Sequence, residues 1–202
     1  MKTTVTHALT FMFKDDDWFW KVSLGALALL LIGTGVGYIL CIGYHVETVR
    51  RCRNQEPQLP DWNDLRLLWR AGRVVGCAIL LYCAAVLGCL AAVHQARAFY
   101  AGIAVLAVHT CIQPFVVLRY LDRGTMRSCF AIGSFAAAAR RNGLRALGMT
   151  GAGFGIVGVV VCFGWMALIV GWPFFIFWGM LAAAAFTASL APSSDISEAA
   201  AL

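Results

Sequence analysis

The chain has 202 residues, 61% of them apolar and 13% charged, where a soluble domain carries roughly 45–50% and about 25%. That balance excludes an ordinary soluble domain and points to one membrane domain spanning 1–202. The net charge of +6 does not indicate nucleic acid, because the arginines form two blocks beside long apolar runs, the arrangement of cytoplasmic loops under the positive-inside rule.

Residues 1–21 read as an interfacial N-terminal segment. Phe11 to Phe13 and Trp18 to Trp20 flank Lys14 and three adjacent carboxylates, Asp15 to Asp17. Rings beside charges suit the headgroup layer. The carboxylates read as a solvated turn at a helix N-terminus, where negative charge complements the dipole. Charge interrupts this stretch too often for a cleavable signal peptide.

Residues 22–46 form the first apolar span, long enough to cross, since a helix needs about 20 residues. Gly33, Gly35 and Gly37 interrupt it. Two arrangements fit: a single kinked crossing, slightly preferred, or a re-entrant pair of half-helices with both ends on one side. Gly33 and Gly37 would also let helices approach closely.

Arg50, Arg51 and Arg53 close that span, and Pro57 and Pro60 bar a helix through the loop. Asp61 stands in the place of an N-cap. The spacing predicts a separate interfacial helix over 61–72, with Arg66, Arg70 and Arg73 on one face opposite Trp62 and Trp69. Those five residues are the candidate lipid-headgroup contacts, and anionic lipid is the natural partner.

Residues 74–93 read as the second crossing and 99–118 as the third. His109 and Gln113 share a helix face one turn apart, followed by Pro114. Polar groups at mid-depth face other helices, where they hydrogen-bond or act. Gln113 reads as a packing residue. His109, with His94 and His45, is also a candidate axial ligand to haem or a chlorin. Residues 119–145 form the second basic block, with a shallow helix over 128–141. Residues 146–170 read as the fourth crossing, in which Gly151 and Gly155 offer a small-residue packing face. Gly171-Trp172-Pro173 reads as a turn, 174–190 as the fifth crossing, and 191–202 as a disordered tail.

The expected architecture is therefore all-α: a polytopic helical membrane protein of about five spans, the first glycine-broken or re-entrant, with amphipathic interfacial helices. Twelve arginines lie in loops 47–73 and 119–145, which with the C-terminus are assigned to the cytoplasmic side of the inner membrane. The N-terminus lies outside in the kinked arrangement and inside in the re-entrant one. The eight cysteines include no C-x-x-C pair and read as small apolar residues without a metal role.

The aromatic-acidic opening, the glycine-broken span, the Gly-Tyr pair, the basic run and the Leu-Pro-Asp-Trp motif together resemble the start of a bacterial and archaeal membrane family, domain of unknown function 4013. The marks are Asp17, Trp18, Gly25, Gly43, Tyr44, Arg50, Leu59, Pro60, Trp62 and Gly72. The resemblance is strongest over residues 11–75. It departs in having Gly-Thr-Gly where Ile-Pro is common. It implies a membrane fold and no particular chemistry.

No nucleophile–base pair, phosphate loop or metal-protease motif is present, and every Asp and Glu lies in a loop or terminus. An enzyme is not expected. The functional expectation is a structural or accessory membrane protein beside other membrane subunits or on anionic lipid. A transporter or permeation protein is the alternative, and a pigment- or haem-binding subunit of an energy-transducing complex the narrower one.

Overall fold

The computed structural model describes residues 8, 10–56, 58–92, 98–131 and 168–190. These contain five α-helices and no strand: α1 (Trp18–Leu30), α2 (Val36–Arg53), α3 (Leu65–Ala92), α4 (Ala98–Arg123) and α5 (Leu168–Ser189). Short 3-10 turns cover Phe11–Lys14, Ile32–Thr34 and Met126–Phe130.

The first apolar stretch is two helices. At the break Gly35 takes φ +76, a conformation that disfavours any side chain. The chain then folds back so tightly that Gly37 lies against the backbone of Ala28 and Leu31. The far ends of the hairpin meet: the indole Nε1 of Trp62, just beyond α2, donates to the Lys21 carbonyl in α1 at 2.9 Å. Gly37 is thus packed on the hairpin's own backbone, whereas Gly33 stands at the exposed tip with nothing near it.

Helix α2 is the hub, buried at every position from Cys41 to Val49. One face, with Ile42, Val46 and Val49, packs on Val75 and Ile79 of α3 and Val116 and Val117 of α4. The other, with Cys41 and Tyr44, packs on Val22 of α1 and Phe177 and Leu181 of α5. Helices α2 and α3 run antiparallel in backbone contact: Gly43 lies on the Leu68 carbonyl, Gly72 on the Ile39 carbonyl and Gly43 nitrogen. Gly25 of α1 receives the Phe177 ring.

Helix α3 corrects the expected separation at 72–74. No distinct interfacial helix covers 61–72, because one helix runs unbroken from Leu65 to Ala92. Nothing between these residues forbids helix: Gly72 and Gly76 serve close approach to α2 instead of ending it. Asp64, not Asp61, caps the start, its Oδ1 accepting from the Leu67 amide at 3.2 Å. Helix α5 likewise corrects the expected turn at 171–173, since it continues through Pro173. Proline there costs one intrahelical hydrogen bond, borne in a helix otherwise packed against α1 and α2.

Among the described residues, three helices are long and apolar enough to cross a membrane: Leu65–Ala91, Ala104–Arg123 and Gly171–Ser189. Helix α1 is apolar but short. The expected fourth crossing (146–170) lies outside the described residues except for 168–170, which begin α5. Of the expected shallow helix (128–141), residues 128–130 form part of a 3-10 turn and 132–141 lie outside. The tail from 191 also lies outside.

The close approach at Gly43 and Gly72 leaves backbone atoms nowhere to retreat. A Gly72→Ala substitution should destabilise by about 1–3 kcal/mol, read as a lowered thermal unfolding midpoint in detergent. Gly33→Ala and Gly88→Ala, whose added Cβ meets nothing, should leave the midpoint near wild type.

Candidate functional site

One end of the helices collects most of the polar chemistry. There the backbone of Leu59 is gripped from both sides. Its amide donates to Asp15 Oδ2 at 2.7 Å. Its carbonyl accepts from Lys21 Nζ at 3.2 Å and Arg51 at 3.1 Å. Lys21 Nζ also pairs with Asp15 and with Asp61, each at 2.9 Å. The Tyr44 hydroxyl donates to the Pro60 carbonyl at 2.9 Å, and its ring stacks on Trp62 with centroids 4.5 Å apart. Phe177 closes the aromatic group against both rings.

This clasp corrects the reading of the acidic run. Asp16 and Asp17 are exposed, but Asp15 is buried and fully engaged. Its Oδ1 also accepts from the Asp17 amide at 2.9 Å. Burial pushes the Asp15 carboxyl pKa up, yet the Lys21 ammonium and the Leu59 and Asp17 amides outweigh it and hold the value below the ordinary one. Burial pushes the Lys21 pKa down, and Asp15 and Asp61 outweigh it, so the ammonium is held more tightly than usual.

Around the clasp lie the basic groups. Glu47, buried in α2, pairs with Arg50 and Arg51. Arg53 reaches Asp122 at 2.9 Å. That contact joins the C-terminal ends of α2 and α4 and brings together basic blocks far apart in sequence. Arg66, Arg70 and Arg73 form an exposed stripe on the first turns of α3, at i, i+4 and i+7 on one helix face. Their expected partners in that pattern separate. Trp69 is exposed on the same helix, and Trp62 lies off it, in the clasp. Arg123, the last residue of α4, and Arg127, beyond it, are also exposed.

Deeper in α2, His45 is 1% exposed. Its Nδ1 lies 3.2 Å from the Met180 carbonyl. A carbonyl only accepts, so Nδ1 carries the proton and Nε2 the lone pair. Among the described residues that Nε2 has no partner, and neither has the buried hydroxyl of Tyr38 two turns earlier. His109 of α4 is half-buried and near enough to interact electrostatically with His45. Gln113 is half-buried on the same helix. Among the described residues no group of three or more His, Cys, Asp or Glu is placed to hold a metal ion. His94, Gly151 and Gly155 lie outside the described residues.

Helix α5 has a direction that matters for this end. Phe174 meets Trp18 and Phe19 at the start of α1, and Phe177 meets Gly25 further along. The two helices therefore run in the same sense, and α5 leads away from the clasp. The helix passes straight through residues 171–173, where a reversal was expected.

Residues 26–201 match the family model described as Protein of unknown function (DUF4013). The chain belongs to the DUF4013 family. No curated protein matches the chain, and no solved structure matches it. The marks that resemble the start of the family now have places. Gly43 and Gly72 form the α2–α3 contact, Gly25 receives Phe177, and Tyr44, Leu59, Pro60 and Trp62 build the clasp. Asp15 and Lys21 escaped sequence reading, because nothing local distinguishes Asp15 from Asp16 or Asp17.

The clasp has a defined pH window. Asp15's contribution is fully present above the ordinary carboxylate value of about 3.9. It is lost as pH falls through the lower folded value. Lys21's contribution is fully present below about 10.4 and is lost as pH rises through its raised folded value. Stability should therefore be insensitive to these two groups near neutrality. Asp15→Asn should cost about 2–3 kcal/mol at pH 7 and weaken the loss of stability below about pH 4, checked by thermal unfolding across pH in detergent.

Proposed function

We propose that this DUF4013 protein is a structural or accessory component of the inner membrane, with its basic end seated on anionic lipid and its apolar helices beside other membrane subunits. The observation that carries this reading is the exposed Arg66–Arg70–Arg73 stripe at the start of the longest apolar helix. Arginines there stand where the headgroups of the cytoplasmic leaflet would be. Arg123 and Arg127 support it from the end of α4. On this reading loops 47–73 and 119–145 face the cytoplasm, and α5 leads towards the opposite side. The tail beyond α5 carries Asp195 and Glu198 and no basic residue, which accords with that direction.

Catalysis has little support here. The buried charges of the clasp are spent on each other and on the Leu59 backbone. No nucleophile is paired with a base among the interactions described above. Mid-depth polarity for transport is confined to His45, His109, Gln113 and Tyr38 among the residues discussed, which favours the accessory role.

Replacing Arg66, Arg70 and Arg73 together by Gln should weaken retention of phosphatidylglycerol. The loss should be about fivefold per charge, since each basic residue near the surface contributes about 1 kcal/mol. Lipid mass spectrometry on protein extracted from mixed phosphatidylcholine and phosphatidylglycerol vesicles measures it. Unchanged retention would remove the support for this reading.

A second, narrower reading is favoured by His45. Its Nδ1–H is fixed by a backbone carbonyl while Nε2 keeps its lone pair, the way a metal-ligating histidine is commonly held. Haem or a chlorin is the cofactor it would suit, with His109 nearby on α4. Protein purified in mild detergent should then show a visible absorption band that His45→Leu abolishes while the protein remains folded. A colourless wild-type preparation from the native host would end this reading.

A further inference from the structure

The α1–α2 hairpin combines an uncharged sequence, an exposed apolar tip and helices fastened at the opposite end. Residues 22–46 contain no Asp, Glu, Lys or Arg. Leu27, Leu30, Leu31, Ile32 and Val36 at its tip are each 45–63% exposed. At its other end Lys21, Asp15, Leu59 and Trp62 fasten the two strands of chain together. Helix α1 has 13 residues, or about 20 Å at 1.5 Å per residue. That is too short for a hydrocarbon core of about 30 Å, but close to one leaflet with its headgroups, about 20–22 Å.

Irregular backbone is costly in lipid unless its polar groups are satisfied internally. At the tip the amides of Leu31, Thr34 and Gly35 donate to the carbonyls of Ala28, Leu31 and Ile32. The Thr34 hydroxyl also returns to the Leu31 carbonyl at 2.7 Å. The turn is therefore dressed for an apolar surrounding. At the opposite end of α1, Phe19 and Trp20 are 62% and 65% exposed, which places aromatic rings where a headgroup belt would be. Beside the hairpin, α3 carries its exposed arginines at 66, 70 and 73, before its uncharged run begins.

We propose that the α1–α2 hairpin is inserted tip-first among the acyl chains of the leaflet on the basic side and returns without crossing the bilayer. The proposal rests on the membrane reading above and adds a wedge in one leaflet, with the N-terminal segment and the Arg50–Arg53 end on the same face. Of the two arrangements the sequence leaves open, it selects the re-entrant one.

Depth-resolved quenching tests it. Ile32→Cys and, separately, Leu81→Cys on the exposed face of α3 would be made in a background with all eight native cysteines replaced by Ala. Each carries an environment-sensitive fluorophore in vesicles containing lipids spin-labelled at the headgroup, the upper chain or the chain end. Both labels should be shielded from aqueous iodide, with Ile32 quenched at least twofold more by chain labels than by the headgroup label. Iodide quenching at Ile32 but not Leu81 would overturn the hairpin proposal and leave the membrane reading intact. Iodide quenching at both would overturn the membrane reading itself. Labelling of Ile32→Cys by an impermeant reagent from the face opposite Arg53 would show a crossing instead.

If the cysteine-free protein does not fold, hydrogen exchange on the wild-type protein in nanodiscs supplies the second measurement. The amides of residues 28–36 should exchange at least tenfold more slowly than in detergent-free water-exposed turns such as 54–56. Exchange at the same rate would overturn the proposal.

Discussion

The conformation of this end of the protein depends on one peptide unit, that of Leu59. Its N–H and C=O both point into the protein and both are taken by charged side chains. Hydrogen bonds to charged groups contribute about 1.5–3 kcal/mol each, roughly twice a neutral one. The loop after α2 has no regular structure to satisfy its backbone. Without Asp15 and Lys21 it would have to face water. With them it turns inward, carrying Pro60 to the Tyr44 hydroxyl and Trp62 to the Tyr44 ring. The loop in turn neutralises Lys21, which would otherwise be a buried charge short of partners. Each side makes the other's burial tolerable.

That mutual dependence explains why a helix as polar as the second half of α2 can occupy the centre of the fold. Glu47, His45 and Thr48 are all buried. Glu47 is paired to Arg50 and Arg51, Thr48 donates to the Tyr44 carbonyl, and His45 is oriented by Met180. The arginines are themselves placed by the loop, since Arg51 also donates to Leu59. The glycines at 25, 43 and 72 then admit neighbours to contact distance. Polar satisfaction comes first in this argument, because close packing around an unpaired charge would cost more than it returns.

How much of this was legible in the sequence follows from the range of each interaction. The apolar run of α3 from 74 onward and the glycine break after α1 are local patterns, and both are found where they were expected. The beginning of α3 was not legible. Arginines at 66, 70 and 73 make the same amphipathic stripe whether the helix stops at the surface or continues as a span. The Gly-Trp-Pro sequence at 171–173 carries a turn signal that tertiary packing overrides. The clasp was the least visible feature, since Asp15 and Leu59 are 44 residues apart and a carboxylate's burial is not written in its neighbours. The spacing of Trp62 and Trp69 is helical and points to lipid, but Trp62 precedes the helix and stacks on Tyr44 of α2.

Most of the marks by which the chain resembles its family face inward, Asp17, Trp18 and Arg50 excepted. Gly25, Gly43, Tyr44, Leu59, Pro60 and Gly72 are buried, and Trp62 is half-buried against Tyr44. They specify how three helices and a loop lock together. Such a set says little about chemistry, because each residue is consumed by its neighbours. What the lock leaves free among the described residues is different in kind: an arginine stripe facing outward, an apolar hairpin tip and, inside, the His45 lone pair and the Tyr38 hydroxyl. The first two are complementary to lipid, one by charge at the polar end and one by apolarity at the far tip of the hairpin. On the proposed reading, the clasp holds a basic surface at one end of the hairpin and leaves an apolar tip at the other, and the two together would anchor the protein in lipid.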